Sequence, residues 1–146
     1  MKKIFVMGAF FDTNKEYINS YSQIKTTLLN KFKDVQIIEP IDIENYQKDF
    51  LKNNKNCSFL QSITAMVNYD LNFVKEADLL LVNLSNKSFG VGMELGIAKE
   101  YNKKVFFVAK QGTQISNMVL GGFPNAKVNY YSTQDELLKI IENIEF

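Results

Sequence analysis

The sequence predicts an α/β protein: a flavodoxin-like or Rossmann-like sandwich in which a five-stranded parallel sheet carries helices on both faces. Three observations lead there. Five short apolar runs alternate with stretches of helical periodicity, and no tight hairpin turn joins consecutive runs. The chain, at 146 residues, is about the size of one ordinary domain. Strands without hairpins need crossovers, and right-handed helical crossovers produce a parallel sheet. Residues 1–146 are therefore expected to form a single domain with one site.

The elements follow in order. Lys3 to Gly8 is a compact apolar run stopped by glycine, as a buried parallel strand reads. From about Asn14 to Lys33, the residues Tyr17, Ile18, Tyr21, Ile24, Leu28, Leu29 and Phe32 recur near helical spacing. A second strand spans Val35 to Glu39 and ends at Pro40. Asp42 to Ser58 is polar, rich in Asn and Lys and without strong period, so it reads as a loop or irregular insertion beside the site. Leu60 to Glu76 is amphipathic, and Asp78 to Leu84 is the most strand-like run in the chain. After a glycine-containing turn, Gly92 to Tyr101 reads as helix and Lys104 to Ala109 as strand. Ile115 to Leu120 reads as a short helix, Lys127 to Tyr130 as an edge strand, and Asp135 to Ile144 as the closing helix.

Composition narrows the chemistry. Lys+Arg number 17 and Asp+Glu 16, so no global field is available to hold nucleic acid or an anionic membrane, and neither is an expected partner. Every basic residue is lysine, which removes the side chain best shaped for bidentate grip on phosphate. With no histidine either, proton transfer falls to Asp, Glu or Tyr. Cys57 is alone and reads as a bystander, with neither a disulfide nor a thiolate cluster available to it. No metal is implied. Met1-Lys2-Lys3 opens onto an apolar stretch too short for a secretion signal, and a soluble cytoplasmic protein is expected.

In open parallel sheets, ligands bind beyond the carboxyl ends of the strands where the strand order reverses. The loops to watch are therefore Gly8 to Asp12 and Ser85 to Glu94. In the second, Ser88, Gly90, Gly92 and Glu94 lie between a buried strand and a helix start, where backbone amides face the crevice. On spacing alone Glu94 is either a catalytic carboxylate or an ordinary first-turn acid favoured by the helix dipole. Asp70, on the preceding helix, is either a second site carboxylate or a solvated acid; two converging carboxylates would suit chemistry at an anomeric carbon. Phe10 and Phe11 read as core packing or as a flat wall for a nucleobase. Asp12 reads as the cap of the following helix or as a ligand contact.

The strings Asn68-Tyr-Asp70-Leu-Asn72, Ala77-Asp78-Leu-Leu-Leu-Val and Ser88-Phe-Gly-Val-Gly-Met-Glu94-Leu-Gly-Ile-Ala98 resemble the nucleoside 2-deoxyribosyltransferase family. The resemblance extends to Gly8 with Phe10 and Phe11 at the amino end and to Asn117-Met-Val-Leu-Gly121 near the carboxyl end, and it is loose between Asp42 and Ser58. It implies that Glu94 attacks the anomeric carbon of a deoxyribose, that Asp70 contacts substrate and assists proton movement, and that a second base takes the sugar. Asn117 would be supplied by a neighbouring subunit, making the enzyme a homo-oligomer acting on a deoxynucleoside and a free nucleobase without cofactor.

Two departures bear on function. Ser88 stands where the transferases usually have aspartate, and serine there resembles the related deoxynucleoside 5′-monophosphate N-glycosidases, which use it on the phosphate. Those glycosidases also resemble one another in an arginine after the first strand, which is missing here, and in a serine at the place of Asn117. Phe5 stands where the family commonly has a tyrosine whose hydroxyl reaches the nucleophile; Tyr69 is a candidate replacement. The alternatives are therefore hydrolysis of a deoxynucleotide, and a nucleotide-binding module without activity.

Overall fold

The computed structural model describes residues 1–9 and 14–146. The elements are β1 (Lys2–Gly8), α1 (Lys15–Lys31), β2 (Val35–Ile38), α2 (Pro40–Asn53), α3 (Phe59–Glu76), β3 (Leu79–Asn83), α4 (Phe89–Glu100), β4 (Val105–Lys110), α5 (Asn117–Gly122), β5 (Val128–Tyr131) and α6 (Gln134–Glu142). The sheet order is β2-β1-β3-β4-β5, and every neighbouring pair is parallel. This is the flavodoxin-like order, whose reversal lies between β1 and β3. The expected fold class is the observed one.

Alternation along β1 divides the core in two. Ile4 and Val6 point to one face and meet Tyr21, Ile24 and Leu28 of α1 and Leu137 and Ile141 of α6. Phe5 and Met7 point to the other face, where they meet Val74 of α3 and Val91 and Leu95 of α4. Side chains of successive strand residues must emerge on opposite faces, so a strand buried on both reads as a continuous apolar run. β3 shows this best: Leu79, Leu80, Leu81 and Val82 are all buried. Leu28 is fully buried between α1, α6 and the sheet. Leu28→Ala is expected to lower the unfolding free energy by about 2–5 kcal/mol, read from the denaturant midpoint at unchanged slope.

Two local expectations are corrected. The segment expected to be a loop between Asp42 and Ser58 is mostly helix α2. Pro40, read as a strand stop, sits at the helix start, where its missing N–H costs nothing, and the Glu39 and Asp42 side chains cap each other's backbone. The helix presents only a narrow apolar stripe; Tyr46 from it stacks on Tyr69 of α3 at 3.9 Å and 7°. Helix α4 begins at Phe89, three residues before the expected start, with Ser88 as its cap. Gly90 and Gly92 therefore lie within the helix and do not form a turn. Among the described residues the one glycine with positive φ is Gly112, after β4. The cap of α1 is Asn14, whose side chain accepts from the Glu16 amide at 3.0 Å; the cap expected at Asp12 falls outside the described residues.

Among the described residues, no helix is long and apolar enough to cross a membrane.

Candidate active site

Glu94 lies more than one turn into α4, and the first turn of that helix holds no acidic residue. The helix-start reading of Glu94 therefore fails on position, because the dipole effect fades within that first turn. Flanked by the buried Val91, Leu95 and Ala98, Glu94 is only 9% exposed. Across from it, Asp70 of α3 hydrogen-bonds its side chain, while the Asp70 Oδ1 atom is buried and has no hydrogen-bond partner. The two carboxylates identified separately in the sequence thus meet.

Two carboxyl groups in hydrogen-bond contact and withdrawn from water cannot both be charged. Burial, then the neighbouring Asp70 charge, raises the proton affinity of Glu94 well above the ordinary carboxylate range. Burial also raises that of Asp70, which the bond from Glu94 partly offsets. The two carboxyls therefore share one proton. Among the described residues no lysine pairs with either group. The pair is therefore two buried carboxyls with an unpartnered acceptor oxygen on Asp70, not a structural salt bridge.

Gly8 ends β1 opposite Asn83, the last residue of β3. A Cβ at Gly8 would overlap the Tyr21 hydroxyl and press on Asn83 at 3.3 Å, so only glycine fits beneath this contact. Asn83 Nδ2 donates to the Tyr131 hydroxyl at 3.1 Å and Asn83 Oδ1 accepts from the Ser85 amide at 3.0 Å. Ser85 Oγ accepts from the Lys110 amide at 2.8 Å. Asn86 Nδ2 donates to the Tyr17 hydroxyl at 2.7 Å. The turn between β3 and α4 is thereby tied to β4, β5 and α1 before it reaches Ser88. Sequence reasoning missed Tyr21, Asn83 and Tyr131. The polar cluster Asn83 to Asn86, directly after four buried aliphatic residues, was the available signal.

Phe5 is buried against Phe73, with ring centroids 6.1 Å apart. Tyr69 does not stand in for the missing first-strand hydroxyl: it is turned to Tyr46 on α2 and to Phe73. Phe10 and Phe11 lie outside the described residues.

Ser88 at the cap of α4, Gly92 within α4 and Asn117 of α5 lie apart from Glu94. They border a groove of about 910 Å³ between α4 and α5, walled by Leu84, Phe89, Leu95, Met118 and Phe123. Gly92 is about 200° around the helix from Glu94, while Val91 and Leu95, which flank Glu94, also line the groove. Gly90 is exposed at the start of the helix. The Ser88 hydroxyl accepts from the Val91 amide at 3.3 Å, and Asn117 is exposed at the start of α5. Within one chain, Asn117 is not brought to Glu94. Phe89, Met93 and Met118 leave this surface apolar and exposed. Among the described residues, no group of three His, Cys, Asp or Glu side chains is arranged to hold a metal ion.

No protein-family model matches the chain, and no curated protein matches it. Solved structures do. The Clostridium botulinum CMP N-glycosidase BcmB is 16% identical, with a TM-score of 0.65 over 97% of this chain and 99% of that one. A 2-deoxyribosyltransferase from Bacillus psychrosaccharolyticus is 21% identical, with a TM-score of 0.66 over 99% of this chain and 93% of that one. A 2-deoxyribosyltransferase from Leishmania mexicana is 16% identical, with a TM-score of 0.58 over 98% of this chain and 99% of that one. The chain therefore has, along almost its whole length, the flavodoxin-like fold found in 2-deoxyribosyltransferases and in an N-glycosidase.

Proposed function

We propose that the protein is a nucleoside 2-deoxyribosyltransferase, cleaving the N-glycosidic bond of a 2′-deoxynucleoside and passing the sugar to another nucleobase. The observation that carries this reading is the buried Glu94–Asp70 dyad on adjacent helices, in a fold shared with enzymes of this kind. In the reaction, the Glu94 carboxylate attacks the anomeric carbon as the C–N bond breaks. The proton that Glu94 shared with Asp70 goes to the departing base, and the covalent product is a glutamyl-deoxyribose ester. A second base then displaces Glu94 from that carbon and returns a proton to the dyad. Burial of both carboxyls suits an intermediate that must wait for a base without meeting water. In this reading Gly8, at the carboxyl end of β1, borders the ligand crevice.

Asn117, remote from Glu94 in its own chain, reaches the sugar from a second copy. The apolar surface around Phe89, Met93 and Met118 is the face that copy covers, and the working enzyme is a cytoplasmic homo-oligomer in nucleotide salvage.

A second reading is N-glycosidic hydrolysis of a deoxynucleoside 5′-monophosphate. It is favoured by Ser88 at the cap of α4, whose hydroxyl proton is available to a phosphate, and by the likeness to a CMP N-glycosidase. Incubation with thymidine plus free adenine, and separately with the deoxynucleoside monophosphates, decides between them. Transfer yields deoxyadenosine in the first mixture. Hydrolysis yields free base and deoxyribose 5-phosphate in the second, and turnover of neither overturns both.

A further inference from the structure

Tyr21 comes from the middle of α1 and is 4% exposed, and its hydroxyl reaches beyond its own helix. It rises through the core layer between α1 and the sheet to the carboxyl end of β1. There it donates to the Ala9 carbonyl at 3.4 Å and fills the space a side chain at Gly8 would need. Gly8 is in turn in register with Asn83, and Asn83 is bonded to Tyr131, so three strand ends are keyed together at this point. Among the described groups, Tyr131 from β5, Tyr17 from α1 and Glu94 from α4 act on the hydroxyl electrostatically. Burial first, and then these neighbours, push its proton affinity up, so it remains a donor throughout the neutral range.

We propose that Tyr21 is a positioning residue for the site: its hydroxyl, seated under Gly8 and bonded to Ala9, sets the position of the carboxyl end of β1 against β3. Phe5 supplies no hydroxyl from the strand itself, and Tyr69 faces α2. Tyr21 therefore brings the buried phenol at the end of β1 from the opposite face of the sheet. The glycine and the tyrosine form one device, because the tyrosine reaches the strand end only where a Cβ is missing.

The test is a double-mutant cycle with Gly8→Ala and Tyr21→Phe, read in unfolding free energy and in kcat/KM per folded protein. The kinetic readout rests on the transferase reading above; the unfolding readout does not. Tyr21→Phe is expected to lower kcat/KM about 10-fold through loss of one buried hydrogen bond. Gly8→Ala is expected to lower it on the order of 10²-fold by displacing the strand end. In the Tyr21→Phe background, adding Gly8→Ala is expected to cost less than about 10-fold more, because the atom it strikes is gone. Additive effects in both readouts overturn the proposal. So does non-additive unfolding with kcat/KM of Tyr21→Phe unchanged, since the tyrosine would then serve the fold alone. If the wild type turns over neither substrate, the functional reading fails. The pairing of Gly8 with Tyr21 is then judged on unfolding, where additivity overturns it and non-additivity supports it.

Discussion

Replacing Glu94 by glutamine is expected to lower turnover by ~10³-fold or more while leaving the protein folded and, above neutral pH, at least as stable as the wild type. The two halves of that outcome have one cause. A carboxyl held protonated by burial makes the folded chain bind more protons than the unfolded chain at every pH between the unfolded value and the raised folded one. The unfolded value is close to 4.5. The sign follows: the stabilising contribution is complete below the unfolded value and is lost as pH rises through the folded one. Glutamine keeps a donor for Asp70 but has no proton to lose, so its advantage over the wild type should grow with pH. Activity under saturating substrate and urea midpoints at about pH 5 and about pH 8 check both halves. A variant that loses stability along with activity would make Glu94 a structural group.

Asp70→Asn is expected to lower kcat by about 10²–10³-fold, in the range by which a positioned proton-transfer group contributes. It should also move the pH profile in a defined direction. Glu94 must be ionised to attack, and after burial the largest influence holding its proton is the Asp70 charge. Removing that charge makes Glu94 ionise more easily, so the rising limb of kcat/KM against pH shifts toward lower pH. Residual activity with an unmoved limb would mean that the two carboxyls do not share their proton during turnover. A shift toward higher pH would mean that the Asp70 charge does not hold the Glu94 proton.

Much of this was legible from residue order. Phase changes between apolar runs and helical stretches located the strands, because a strand buried on both faces must be apolar without alternation, and β1 and β3 are such runs. The motif around Glu94 pointed to that residue, and the string around Asp70 pointed to its partner. α2 was missed because the stripe formed by Ile43, Tyr46 and Phe50 among its apolar residues is too narrow to stand out from Asn, Lys and Asp neighbours. Its formation depends on packing Tyr46 against Tyr69 and on a capping pair that the polar composition conceals. The early start of α4 was missed because glycines disfavour helix interiors. Ser88 as cap and the packing of Val91 and Leu95 override that preference.

By itself the sequence determined the fold class and the order of the strands, because both depend on local periodicity and on residue type. Only the tertiary structure decided that Glu94 hydrogen-bonds Asp70 and that Ser88 and Asn117 border a groove between α4 and α5. It also placed the Tyr21 hydroxyl under Gly8. Those facts depend on the rotation of one helix against another and on the depth of a side chain beneath a strand end. Packing between elements distant in sequence sets both, and no periodicity within one element records them.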